Sequence, residues 1–146
     1  MLLNTDSFDF QVTPVGFEGV KSASSDVDIC RDIMKTIYAE NPSHWPYGLT
    51  PEHADGGAYL IRKASSMEPV GFVGWQERFE NGEKVGSYAI GILPEHRSQG
   101  YAKQAVTEII RQKRAHVDRV VANIMPDNDR SKRLASRLGI EIRETF

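Results

Sequence analysis

The chain is 146 residues long, about the size of one domain, since a single core typically serves roughly 100 to 150 residues. Its composition, 40% hydrophobic and 26% charged with a formal net charge of -2, is ordinary for a globular protein and offers no global basic field for nucleic acid. One cysteine, Cys30, excludes an intramolecular disulfide framework and a cysteine-rich zinc site, which fits a reducing compartment and makes the cytoplasm the expected location. The opening MLLNTDSFDF lacks the basic end and apolar run of a signal peptide, and no stretch approaches the ~20 apolar residues of a membrane span. Neither export by that route nor membrane insertion is expected.

No repeat, low-complexity tract or linker divides the chain, so residues 1–146 read as a single domain. FQVTPV (10–15) is a short β-prone run. SSDVDICRDIMKTIYAEN opens with capping residues and then places Cys30, Ile33, Met34, Ile37 and Tyr38 at i, i+3, i+4, i+7 and i+8, one face of a helix. Cys30 reads as a small hydrophobe on that face. Residues 42–57 hold three prolines and three glycines and form a long loop with room for a helical turn. His44 and Trp45 there either line a pocket or belong to a packed surface loop. Three β-prone segments follow at 58–64, 68–79 and 84–93, and Asn81-Gly82 between the last two signals a hairpin. Gly71 and Gly74 in VGFVG have no phosphate-loop context and read as strand bulging or helix contact.

Ala102, Ala105, Val106, Ile109 and Ile110 recur with helical period, predicting a helix that ends near His116; its basic end, RQKRAH, complements the helix dipole. RVVANIM (119–125) is a strand. PDNDRSKRLASRLG supplies a capped helix with Ser131, Leu134, Ala135 and Leu138 on one face and Gly139 just past its end, and IEIRETF (140–146) is a last strand. His53, His96 and His116 are scattered without metal-ligand spacing and read as surface residues, so no metal is expected. The order β, α, loop, β, β, β, α, β, α, β predicts an α/β fold with a mixed, mostly antiparallel sheet flanked by helices.

One stretch carries more than secondary structure. In LPEHRSQGYAKQAVTEII (93–110) a strand end runs through a basic turn into a helix, with Gly100 at the junction. A tight turn alone would explain one glycine. A helix N-terminus also presents unpaired N–H groups and the positive end of the dipole, and a residue without Cβ lets an anion approach that backbone.

RSQGYA matches the Arg/Gln-x-x-Gly-x-Gly/Ala signature of the GCN5-related N-acetyltransferases, and YAIGILPEHRSQGYAKQAV resembles the strand-turn-helix centre of that family. The resemblance continues through VVANIMPDNDRSKRLASRLGI and covers roughly residues 58–142. It implies acetyl-CoA, or another acyl-CoA, as co-substrate in a cleft where the fourth and fifth strands splay apart. Ile90, Gly91 and Ile92 would pair with the pantetheine arm like an added strand, the N–H groups of Arg97, Ser98, Gln99, Gly100, Tyr101 and Ala102 would cradle the pyrophosphate, and Asn128 would reach the pantetheine. An amine acceptor, small molecule or protein, would attack the thioester directly, with no covalent enzyme intermediate.

The sequence departs from the family in three places. The tyrosine that protonates the departing thiolate is replaced by Ala135, and the fourth strand carries no carboxylate. Tyr88 on that strand is then the candidate acid, against a packing role, and Glu77 on the preceding strand the candidate base through water, against a solvated hairpin carboxylate. The family usually ends with a two-stranded hairpin, whereas only 140–146 follow Gly139, a shortened C-terminus. Strand 119–125 is therefore expected to keep an edge that a second copy, the stretch MLLNTDSF, or further sequence of a longer polypeptide must cover. The rival to an acyltransferase is a non-catalytic module of the same fold, with or without CoA, in a larger assembly.

Overall fold

The structure, a computed structural model, describes residues 11–15, 24–45, 58–63 and 66–144. They form a six-stranded sheet in the order β1 to β6, so each strand lies beside its sequence neighbours. β1 (Gln11–Val15), β2 (Ala58–Arg62), β3 (Pro69–Glu80) and β4 (Glu83–Ile92) are successively antiparallel. β5 (Arg119–Asn123) lies parallel to β4, and β6 (Glu141–Arg143) parallel to β5. The sheet is thus mixed and mostly antiparallel, as expected. Three helices complete it: α1 (Ser24–Glu40), α2 (Tyr101–Lys113) and α3 (Asp129–Arg137). The loop after α1 begins with a 3-10 turn at Pro42–His44; its remainder, with His53, and the MLLNTDSF stretch lie outside the described residues.

Strand alternation sorts the side chains into two layers. Leu60 and Phe72 turn to one face, where Cys30, Ile33, Met34 and Ile37 of α1 cover them. Tyr59, Ile61, Val73, Trp75, Tyr88, Ile90 and Ile92 turn to the other, against Ala105, Val106 and Ile109 of α2 and Ala135 of α3. Full burial of a large side chain such as Trp75 or Phe72 contributes about 1.5–3 kcal/mol, so these two layers supply the main folding force. Cys30 is fully buried among them.

The β3–β4 hairpin closes through Asn81 and Gly82, both left-handed at φ 50° and 82°, which is the twist a two-residue hairpin loop needs. Gly71 is explained by close packing: a Cβ there would lie 2.3 Å from the Gly91 carbonyl oxygen.

The chain covers the outer edge of β5 itself. α3 ends in a Schellman turn, with Gly139 at φ 69°, its N–H bonded to Ser136 O at 3.2 Å and the Ile140 N–H to Ala135 O at 3.0 Å. That reversal drops the next strand directly onto β5, so Val121, Ala122 and Asn123 face Glu141, Ile142 and Arg143. Arg119 holds the Glu141 carboxylate at 2.7 and 2.8 Å, and the Ile124 N–H reaches Arg143 O at 2.8 Å. The expectation of an open 119–125 edge is corrected, and with it goes the argument that a second copy or further sequence must cover that edge.

Replacing Gly71 with Ala forces a methyl group against main chain that cannot step aside. The expected cost is about 1–3 kcal/mol, read as a lower urea midpoint with an unchanged m-value.

Candidate functional site

β4 and β5 are paired from Val85 opposite Arg119 to Ser87 opposite Val121, and then they part. β4 continues to Ile92 against β3 alone, so its edge at Ile90–Ile92 has no β5 residue opposite. A cavity of about 390 Å³ opens there, within the size range of small-molecule sites. Ile90, Gly91 and Ile92 form its floor. The end of α1 contributes Ile37 and Glu40, the turn after it His44 and Trp45, and α3 with its N-cap contributes a face from Asn128 to Arg137.

The turn between β4 and α2 closes the third side. Its backbone is unusual: Ser98 sits at φ 63° and Gly100, the N-cap of α2, at φ 87°. The first amide of α2 with an acceptor inside the helix is that of Gln104, bonded to Gly100 O at 3.1 Å. The amides before it border the cavity at Ser98, Gly100, Ala102 and Lys103, with the positive end of the helix dipole behind them. A Cβ on Gly100 would meet nothing closer than the Gln104 amide nitrogen at 3.7 Å, so the left-handed backbone, not lack of space, requires glycine here. Unpaired amides at a helix N-terminus, with no side chain on Gly100, make a cradle of the shape and polarity that suits an anion.

The sequence profile described as "Acetyltransferase (GNAT) domain" matches residues 15–141. The chain belongs to the GNAT acetyltransferase family. A search of curated proteins returns no match. Among solved structures it is similar to a GNAT-family acetyltransferase from Bacillus anthracis, at 15% identity and TM-score 0.69 over 95% of this chain and 82% of that one. It is similar to the ribosomal L7/L12 alpha-N-protein acetyltransferase RimL, at 16% identity and TM-score 0.69 over 94% and 78%. A third neighbour is the aminoglycoside N-acetyltransferase AAC(6')-Iy solved with CoA, at 19% identity and TM-score 0.65 over 90% and 88%. At such identities the likeness establishes the fold.

In this GNAT domain every residue that the signature assigned to the donor lines the cavity except Gln99. Three of them differ in role from the simplest reading. The Arg97 side chain is turned inward: Nε donates to Ile92 O at 2.9 Å, and the two terminal nitrogens hold the Glu40 carboxylate at 2.7 and 2.9 Å. That hydrogen-bonded guanidinium holds the Glu40 carboxyl below its usual range, against an opposing push from burial. Asn128 uses its carboxamide oxygen to cap α3, accepting from Ser131 N at 3.3 Å, which leaves the NH₂ end for a ligand. Gly91 makes room on its α1 side for Phe72 and Ile37, whose carbons lie 2.5 and 2.7 Å from where a Cβ would stand.

Neither candidate catalytic side chain lines this cavity. Glu77 accepts from the Trp75 indole at 2.8 Å and faces Lys84 Nζ at 3.1 Å. The Trp75 bond, ahead of the Lys84 interactions, keeps its carboxyl below the usual range, and these partners hold it away from the cavity lining. Tyr88 packs in the α2-side core, its hydroxyl is buried with no hydrogen-bond partner among the described residues, and burial pushes its pKa up to about 12. Ala135 is fully buried in the same cluster. His96 is corrected from surface residue to buried wall: it lines the cavity with Nε2 3.1 Å from Glu68. His116 is exposed. Ser43 Oγ donates to Asp127 at 3.3 Å and His44 Nε2 lies 3.6 Å from it, linking the turn after α1 to the segment before α3. Among the described residues no cluster of His, Cys, Asp and Glu is arranged to hold a metal, and no helix is long and apolar enough to cross a membrane.

Glu40→Gln tests the Arg97 pair. Because the native carboxyl titrates below its unfolded value, the pair's stabilisation is fully present above roughly pH 4.3 and is lost as pH falls through the lower native value. The substitution should lower stability at pH 7 by under about 1 kcal/mol, since the pair is open to solvent on one side. Once the pH lies below the native carboxyl's own titration, wild type and variant should converge in chemical denaturation.

Proposed function

We propose that this domain transfers an acetyl group, or another acyl group, from acyl-CoA directly to an amine. The observation that carries the reading is the anion cradle at Ser98–Lys103, placed where β4 loses its β5 partner. A linear donor with a pyrophosphate at one end and amides along its arm fits both features at once: the phosphates on the turn, the amide-bearing arm along the bare β4 edge. The NH₂ of Asn128, whose oxygen caps α3, lines the same cavity and would be the donor to that arm. Acyl-CoA supplies an activated thioester; the chain's part is to hold it extended, exclude water, and place β4 edge N–H groups where negative charge develops on the carbonyl oxygen.

Tyr88 stands on β4 one residue beyond the last β4–β5 pair. A buried hydroxyl with no partner costs about 1–3 kcal/mol, and a ligand acceptor would remove that cost. With its pKa near 12 the group stays protonated and can only donate; to reach the departing sulfur from its place in the core, it requires the donor arm to run past the cavity lining to the last β4–β5 pair. The acceptor is an amine on a small molecule or a protein: of the similar structures, one acts on aminoglycosides and one on a ribosomal protein. The one cysteine, fully buried, suits a reducing compartment, and on that ground the reading places the protein in the cytoplasm. A second reading, a non-catalytic CoA-binding module, is favoured by the missing hydroxyl at Ala135.

Calorimetry with acetyl-CoA should show binding that Gly100→Glu weakens by about 2–4 kcal/mol, roughly 30- to 1,000-fold, through backbone strain and charge repulsion. No heat at millimolar acetyl-CoA removes the donor reading. Turnover against a panel of polyamine, aminoglycoside and peptide amines separates enzyme from inert module. In an active enzyme Tyr88→Phe should cost on the order of 10²-fold in kcat with CoA affinity unchanged; full activity removes Tyr88 from the chemistry.

A further inference from the structure

We infer that α3 carries a second anion subsite, formed by Arg130, Arg133 and Arg137, which recognises the ribose 3′-phosphate of the donor and so selects CoA over its 3′-dephospho form. The inference rests on the acyl-CoA reading and specifies the donor within it. All three arginines line the cavity, and their spacing of i, i+3 and i+7 puts them on one helical face. None holds a carboxylate among the described residues, whereas Arg97, Arg111, Arg119 and Arg143 each do.

The neighbouring acids are already engaged. Glu40 is taken by Arg97, and Asp127 by Ser43 and His44. Asp129 lies in the shallow recess on the far side of α3, where Lys132 also stands, and Arg133 and Arg137 form the rim between that recess and the cavity. On the cavity side Glu40 reaches Arg130 only through space, and none of the three guanidiniums has a carboxylate bonded to it among the described residues. The crowding is visible at Arg130, whose guanidinium is made less basic by burial first and then by the charge of Arg97, with Arg133 adding to it and Glu40 opposing in part.

An anion from outside would relieve this repulsion, and the turn cannot be the only place for it. The turn at Ser98–Lys103 offers backbone amides to one phosphate-bearing group, the pyrophosphate of the proposed donor, while the arginines extend over seven residues of helix, about 10 Å from Arg130 to Arg137. A ligand that satisfies both must carry two separated phosphate groups. CoA has this form, with its pyrophosphate and a 3′-phosphate on the ribose; dephospho-CoA and pantetheine thioesters do not. Guanidinium groups match the second group because their planar donors bind phosphate oxygens in pairs.

The test is a comparison of two defined ligands, CoA and 3′-dephospho-CoA, by calorimetry at fixed ionic strength. Wild type should bind CoA about tenfold or more tighter, as expected for a charge-assisted contact. The Arg133→Gln/Arg137→Gln double variant should bring the two affinities to within about threefold, chiefly by losing CoA affinity. Its retained binding of dephospho-CoA shows that the variant is folded. Equal affinities in wild type, or an unchanged ratio in the double variant, overturn the subsite. Binding of both ligands with no preference leaves the acyl-CoA reading standing, whereas binding of neither overturns that reading and this one together.

Discussion

The parting of β4 and β5 is the constraint on which the rest of the molecule depends. Parallel strands held at both ends would leave no gap, and here β5 is held to different neighbours at its two ends. At its start Asp118 locks the register, its N–H bonded to Lys84 O at 2.7 Å and its carboxylate accepting from Lys84 N at 2.8 Å. At its finish β5 pairs with β6 instead, through Ile124 and Arg143. Between these two anchors β4 continues straight along β3 while β5 turns away with α3. The cavity is thus a consequence of sheet registry, and the helix termini, arginines and glycines furnish a space that the strands created.

Local signals reported local structure well. The spacing of Cys30, Ile33, Met34 and Ile37 marks the buried face of α1 because helix geometry turns sequence interval directly into angle. Asn81-Gly82 and Gly139 mark left-handed backbone because few other residues tolerate it. The turn from β4 into α2 was legible for the same reason: it is made of consecutive backbone, and a contiguous motif encodes it. Gln99 is the exception, exposed between two left-handed residues and directed off the cavity wall.

What the sequence hid depends on distance along the chain. Nothing in RSQGYA says that Arg97 binds a carboxylate 57 residues earlier, or that His96 is buried beside Glu68. Glu77 looked available because its partner is an indole on its own strand, two residues away, whose N–H direction only the folded sheet defines. The β6 pairing was missed because a three-residue strand placed by a Schellman turn has no periodicity to read. The arginine face of α3 has a spacing that the sequence shows and a setting that it does not; what distinguishes Arg130, Arg133 and Arg137 is that they line the cavity with no carboxylate bonded to them among the described residues, and that is a property of the assembled surface.

The Arg97–Glu40 pair has a bearing on how the protein reaches this state. The motif that names the family is local, yet the guanidinium in it is oriented by a helix from the other end of the chain, and the same helix supplies Ile37 and Glu40 to the cavity wall. Contacts of such sequence separation form only after the intervening loop has closed, an entropic step that local turns do not require. The cradle and its helix can thus take shape early, whereas the enclosed pocket is among the last things the folding chain completes. A peptide comprising the motif alone has the turn and the start of the helix, and no rear wall behind them.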